Sequence, residues 1–368
     1  MRILHTESSC GWGGQEIRIL EEAEGLARRG HDLLIATPPE SRLYPEAQKR
    51  GFAVRALPIA RKNLAGWRAL RILLKTETLD LVNTHSSTDS WLVALARIGL
   101  KSAPSVIRTR HISAPIPDNF LTRWLYNRGA DHVVTTGEVL RRQVIEQSGA
   151  DPARVTSVPT GIDLARFRPG DRAAARVRLG LPAEAFLVGI VATLRSWKGH
   201  LYLLDALARM QDSRMQAVLV GTGPMEQNIR RKVAEDGLAS RVIMAGHHDD
   251  VVPWLQSFDV FALPSYANEG VPQAIMQAMA CGLAVVTTGV GAIGEAARDG
   301  VTALMVRPRD AEALAAAISL LRDDPAQRAR LGAAAAAEAR TRFSRDAMLD
   351  RVEAVFQSVV DGSRVAPA

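Results

Sequence analysis

The sequence predicts an α/β protein made of two doubly wound parallel sheets with helices on their faces. Three observations lead there. Short β-branched or aliphatic runs alternate with longer helical patterns through both halves, which is the signature of successive β-α-β units. A length of 368 residues exceeds one ordinary domain and suits two of roughly 150 to 200 residues. With 47% hydrophobic and 23% charged residues, disorder and fibrous repeats are excluded, and each domain can bury a core.

In the first half, Arg2–Leu4, Asp32–Ala36, Ala53–Leu57, Leu79–Asn83, Ser105–Arg108 and His132–Thr135 read as strands. In the second, Phe186–Ala192, Gln216–Val220, Arg241–Ala245, Val260–Leu263, Ala284–Thr287 and Ala303–Val306 do so. Gln15–Arg29 and Leu201–Arg209 carry apolar positions at helical spacing. The stretch Val158–Asp163, followed by Phe167-Arg168-Pro169-Gly170, interrupts the periodicity with Pro and Gly and marks a hinge. The expected division is therefore 1–160, 161–345, and a helix over 346–368 that packs back on the first domain and ends in a frayed tail at Ser363–Ala368. Low complexity in Ala333–Ala339 is helix propensity.

Charge is uneven. Residues 1–150 hold 21 basic and 15 acidic side chains, whereas the remainder holds 25 and 24, so the excess of the +7 total belongs to the first half. Such an excess suits an anionic partner, and solubility alone also accounts for it. Two cysteines, Cys10 and Cys281, form no disulfide framework, and the chain opens on a strand, which reads as a reduced, cytosolic protein. No apolar run reaches the roughly 18 residues that span a bilayer, so any membrane contact is expected to be peripheral. With 5% aromatics, no zinc spacing and no RNA-binding motif, nucleic acid is not the expected partner.

Three glycine-bearing motifs follow strands. Gly289-Val290-Gly291-Ala292-Ile293-Gly294 matches a dinucleotide fingerprint formally, with Asp310 near the spacing of a ribose-binding acid. Only Glu295–Arg298 is then left for a helix before Asp299-Gly300 turns the chain, so a structural turn is the better reading. Gly221-Thr222-Gly223-Pro224-Met225-Glu226 reads as a tight strand-to-helix turn that a nucleotide could approach. More informative is Glu269-Gly270-Val271-Pro272, which opens a helix ending near Gly282: Pro272 suits its first turn, and Gly270 lets an anion approach the free N–H groups and positive dipole end. Glu269 and Gln277, eight residues later, can face one ligand, although an acid before a helix is often only a cap.

In this stretch, preceded by Phe258–Ser265, the chain resembles family 4 of the retaining GT-B glycosyltransferases. The resemblance spans nearly the whole chain. It takes in Gly11–Glu16 after the first strand, Gly30-His31, Val158–Asp163, Lys198-Gly199, Gly221–Pro224 and the Glu269 motif. It implies the GT-B fold, two Rossmann-like domains facing each other across a cleft, with residues 1–160 on the acceptor side and residues 161–345 binding a nucleotide sugar. It further implies that Glu269 is the first acid of an E-x7-E motif beside the donor sugar, that Lys198 neutralises the donor diphosphate, and that Gly13 and Gly14 close over that diphosphate. Gly270 and Val271 offer it the helix end. His111 resembles the histidine that contacts the transferred sugar, and a satisfied strand-end histidine is the plain alternative.

Three departures matter. The second acid is Gln277, whose amide holds a ribose by one acceptor and one donor group instead of a carboxylate. The arginine commonly five residues before the lysine is Thr193, and Arg195 is expected to substitute. The usual hinge asparagine is Thr160, expected to be a neutral exchange.

These residues match the chemistry, since a departing nucleoside diphosphate develops negative charge that Lys198, Arg195 and a helix end can stabilise. No Asp-x-Asp triplet occurs, so a metal-independent reaction with no cofactor is expected, the nucleotide sugar being the co-substrate and a UDP-sugar the first choice. A lone motif carboxylate points to attack on the face from which the diphosphate leaves, without a covalent intermediate. On the acceptor side, Leu64–Lys75 sets Arg68, Arg71 and Lys75 at helical spacing after Arg61-Lys62, a basic amphipathic segment suited to an anionic membrane at the inner face of the cytoplasmic membrane, or to an ordinary surface helix. His85 and Ser86, at a strand end, are candidate acceptor contacts. The resemblance implies a hexosyltransferase acting on a glycan or lipid-linked acceptor in lipopolysaccharide or polysaccharide assembly. A sugar-nucleotide epimerase or hydrolase on the same fold, and a non-catalytic binding protein, are the alternatives.

Overall fold

Among the described residues, thirteen strands form two wholly parallel sheets, as the alternation requires. The computed structural model describes residues 1–112, 114–267 and 269–365, with side chains as far as 362. In the first sheet the strands are β1 (Arg2–Thr6), β2 (Asp32–Thr37), β3 (Ala53–Ala56), β4 (Leu81–Thr84), β5 (Ser105–Arg110), β6 (His132–Thr135) and β7 (Val155–Ser157). They lie in the order β3-β2-β1-β4-β5-β6-β7. The second sheet holds β8 (Phe186–Val191), β9 (Met215–Val220), β10 (Val242–Gly246), β11 (Val260–Leu263), β12 (Ala284–Thr288) and β13 (Ala303–Val306), in the order β10-β9-β8-β11-β12-β13. Strand order reverses between β1 and β4 and again between β8 and β11. Each sheet therefore has one crevice at its carboxyl edge where the flanking loops part, and ligands of open α/β sheets bind at such points.

The chain divides into two units, one of Met1–Thr160 with the segment from Asp346 onward, the other of Gly161–Arg345. Each buries apolar side chains on its sheet, and in the first unit they form separate clusters. In the first, Ile3, Ile35, Leu81 and Ile107 from the strands meet Ile19, Leu20 and Leu26 of the helix Gly14–Arg28, and Leu349, Val352 and Phe356 of the helix Arg345–Val365 join them. Burying each such side chain stabilises by about 1.5–3 kcal/mol. Arg29 and His31 bind Glu353 at 2.8 and 2.9 Å, fixing the register of that last helix. In the second unit Leu187, Ile190, Val218, Phe261 and Val285 are fully covered, in keeping with strands that read as unbroken apolar runs because helices cover both faces.

Three expectations are corrected. β7 was not foreseen: it is a three-residue edge strand between Pro152 and Pro159, too short for any periodicity to register. β4 begins at Leu81, not Leu79; Asp80 just before it still bonds both neighbouring strands through its backbone and accepts from the Arg2 N–H through its carboxylate at 2.8 Å. The closing helix continues to Val365, into the stretch expected to fray, and the expected tail beyond it lies outside the described residues.

The basic segment forms the helix Leu64–Thr76. Its Leu70, Leu73 and Leu74 are buried in the core of the first unit, and Arg71 donates to the carbonyls of Ala96 and Ile98 at 2.8 Å. Its apolar face is thus spent on packing. What points outward is the row Leu64, Arg68, Ile72 and Lys75. Among the described residues no helix is long and apolar enough to cross a membrane.

Candidate active site

In the second unit the loops after β8 and β11 meet at the reversal of strand order, and they carry Lys198 and Glu269. Lys198 Nζ donates to both carboxylate oxygens of Glu269, at 2.7 and 2.9 Å, and Ser265 Oγ donates to one of them at 2.7 Å. Glu269 is buried and Lys198 partly exposed, so the pair opens to solvent on the lysine side. Two glycines make this approach possible. Gly199 has φ +82, and a Cβ there would lie 2.1 Å from the Pro264 carbonyl oxygen; Gly291 has φ +62, and a Cβ would lie 2.1 Å from that of Glu269. Only glycine lets the backbones come so close. The formal fingerprint Gly289–Gly294 is thereby accounted for as a turn that supports Glu269, and its helix, Ile293–Ala296, is one turn long.

The helix after the motif runs Gln273–Ala280, with Pro272 at its N-cap and no side chain capping it, and the N–H groups of Ile275 and Met276 turn back to the Pro272 carbonyl. Gly270 is half-exposed and Val271 buried just before it, and Gln277 is half-buried one turn in. Arg195 is exposed, its guanidinium 5.2 Å from the centre of the Trp197 ring.

The first unit presents a different cluster at its own reversal point. Glu7, just past β1, is fully buried and accepts from Ser9 N at 2.6 Å and from Ser86 Oγ and Gln15 Nε2. Asp89 accepts from Thr6 Oγ1 at 2.8 Å, from His85 N at 3.0 Å and from Ser86 N at 2.9 Å. Burial first, and then the charge of Asp89, push the Glu7 carboxyl up to about 8; burial also raises Asp89. Beside them His5 Nδ1 lies 2.9 Å from His85 Nε2, and His85 Nδ1 lies 3.0 Å from His111 Nε2. Burial lowers all three imidazoles, His5 to about 4. Gly13 is the N-cap of the helix Gly14–Arg28, again without a capping side chain.

Each cluster lies at the strand-order reversal of a parallel sheet, and comparison with known proteins shows the family. Residues 12–166 match the family model of glycosyltransferase family 4, and residues 185–324 that of glycosyl transferases group 1. A D-inositol 3-phosphate glycosyltransferase of Thermomonospora curvata is 30% identical over 95% of this chain and 91% of its own. The chain belongs to glycosyltransferase family 4. A glycosyltransferase from Rickettsia africae superimposes with a TM-score of 0.87 at 20% identity over 98% of both chains, and Anabaena Alr3699/HepE, solved in complex with UDP-glucose, with 0.85 at 22% identity over 97% of this chain and 100% of that one. The fold is GT-B, and the protein is a glycosyltransferase.

Within the transferase, the sequence-derived residues fall into two local groups. Glu269, Lys198, Gly270 and Val271 converge in the second unit, with Gln277 on the adjoining helix and Arg195 on the adjoining turn. In the first unit His111 is half-buried, while His85 is buried with both ring nitrogens engaged by other histidines. His85, expected as an acceptor contact, is thus covered and bonded to His111. Ser86 forms a capping box with Asp89 and donates to Glu7. Thr160 Oγ1 accepts from the buried Arg18 at 2.9 Å, alongside the Val158 carbonyl. Sequence reasoning missed His5, Glu7, Asp89 and Ser265. The one available signal was polar residues at i and i+2 ending β1, where apolar ones are the rule.

Proposed function

We propose that this transferase moves a sugar from a nucleotide-sugar donor, a UDP-hexose first among them, to a hydroxyl of a cell-surface glycan or glycolipid, with retention of configuration and without a metal. The observation that carries the reading is the Lys198–Glu269 pair, whose carboxylate precedes the helix Gln273–Ala280. An ammonium has three N–H donors. Two are directed at Glu269, which leaves the third for a phosphate oxygen. Arg195, on the turn that carries Lys198, supplies a second cation. Such a set stabilises a diphosphate leaving group by preorganised charge.

Glu269 then lies beside the sugar that loses the diphosphate, and its carboxylate stabilises positive charge there. The acceptor hydroxyl attacks the anomeric carbon as the bond to phosphate oxygen breaks on the same face, and the departing phosphate takes the hydroxyl proton. Within the first unit, His111 is the candidate substrate contact. Support for a UDP-sugar comes from the Anabaena neighbour and its UDP-glucose. For peripheral contact with an anionic membrane, the support is the outward row Leu64, Arg68, Ile72 and Lys75.

Thermal-shift measurements with UDP-, GDP- and ADP-sugars test the donor, since a ligand of the native state raises the apparent Tm. A shift with one nucleotide class, absent in Lys198→Ala, is the expected result; no shift with any of them refutes the reading. Mass spectrometry after mixing with donor tests the mechanism, because a glycosyl adduct on Glu269 would contradict a path with no covalent intermediate.

A further inference from the structure

We propose that His5 and His85 are positioning residues for His111, which they hold neutral with its proton on Nδ1, so that it meets the substrate as a hydrogen-bond donor. This rests on His111 contacting the substrate and adds what sets its protonation state. The three residues end, or follow, three adjacent strands: His5 is in β1, His85 follows β4 and His111 follows β5. Parallel register brings their rings into a row, with centroids 5.2 Å apart at each step and planes inclined by 15° and 32°. The rings are bonded in series and do not converge on one point, so they form a relay and not a metal-binding cluster.

Both nitrogens of His85 are used, Nε2 toward His5 and Nδ1 toward His111. Burial disfavours its charged form, and the charge of Arg18, enclosed in the same unit, disfavours it in His85 and His111 alike. A neutral imidazole has one N–H and one lone pair. His85 can therefore donate in only one of its two bonds and must accept in the other, so all the hydrogen bonds of the row run in one direction. If they run toward His5, the far end is an N–H at His5 Nε2, and that atom is buried without a partner. If they run toward His111, the far end is only a lone pair at His5, and the outermost hydrogen sits on His111 Nδ1. A stranded buried N–H is the rarer and more damaging defect. The row runs outward.

The surroundings hold this row in place. Asp89 Oδ2 accepts from His85 N at 3.0 Å and from Thr6 Oγ1, next to His5, at 2.8 Å, which ties the ends of β1 and β4 together. His85 N is also within 3.2 Å of the Thr6 carbonyl oxygen.

Long-range 1H–15N correlation spectra of the whole protein, labelled with 15N-histidine, test the proposal at pH 7. The expected pattern is three neutral rings, all protonated at Nδ1. A protonated Nε2 on His85 or His111, the form that free histidine prefers, or an imidazolium at His111, overturns it. Variants add a functional readout. His85→Phe cuts the row, and about a tenfold or greater fall in kcat is expected, with donor KM within about twofold. His85→Gln offers an amide oxygen to His5 and an amide N–H to His111, so it is expected to recover most of kcat and the Nδ1 protonation of His111. Equal impairment of the two variants contradicts a relay, and if His85→Phe does not fold, the wild-type spectrum decides. Unchanged transfer in His111→Ala removes the site reading itself, whereas an active enzyme with His111 protonated at Nε2 removes only this inference.

Discussion

The two reversal points occupy equivalent places in their sheets and are built with opposite electrostatics. At the second, a buried carboxylate has a lysine within 2.7 Å and a serine hydroxyl at the same distance, so it stands as one half of an ion pair. At the first, two buried carboxyls and three imidazoles share their space with hydroxyls, amides and each other, and the shifts of Glu7, His5, His85 and His111 all favour the uncharged forms. Topology decides where a site sits, whereas the partners brought to it decide whether it carries charge. A charged pair suits binding and stabilising a diphosphate. A row of neutral rings suits directing a hydrogen bond.

Removing the charge from the second cluster tests the contrast most severely. Glu269→Ala should lower the initial rate of sugar transfer about 100- to 1000-fold, the usual loss when a preorganised stabilising group is deleted. Lys198→Ala should weaken donor binding about tenfold, seen by calorimetric titration, and lower Tm, because Glu269 stays buried without its cation. The stability loss should be at the small end, about 1–2 kcal/mol, since the lysine is partly exposed.

The first cluster should respond to pH instead. The folded chain keeps the Glu7 proton up to about 8, whereas an ordinary glutamate loses it near 4.5. Between those values the native state binds more protons than the unfolded one, so stability falls as pH rises through this window. Glu7→Gln should therefore gain on the wild type as pH goes from 5 to 8, by a few degrees in Tm, and show little difference at pH 4. Asp89, raised in the same sense, keeps part of the slope in the variant. The mildest change belongs to Gln277: Gln277→Glu, which restores the second acid of the motif, should tighten UDP binding about threefold to tenfold by returning two carboxylate acceptors to the ribose.

Much of the second cluster was legible because its parts sit in motifs with local meaning: an acid, a glycine and a proline opening a helix, and a lysine and a glycine after a strand. Even the misleading Gly289–Gly294 could be set aside from the chain length that follows it, and the reason for Gly291, its contact with the Glu269 backbone, needed coordinates. The first cluster was nearly invisible. His5 and His85 are 80 residues apart and His85 and His111 are 26 apart, and nothing in the chain says that β4 lies beside β1 until the strand order is known. His85 was read as a candidate acceptor contact because it ends a strand, and here neighbouring rings cover it. The short β7 was lost for a different reason, since three residues between two prolines carry no period.

Titration of UDP into the wild type, Lys198→Ala and His111→Ala by calorimetry tests the division of labour most directly. UDP carries the diphosphate without the transferred sugar, so affinity should fall about tenfold in Lys198→Ala and stay within about threefold of wild type in His111→Ala. Equal losses in the two variants, or none in Lys198→Ala, would contradict the assignment of the diphosphate to the charged cluster.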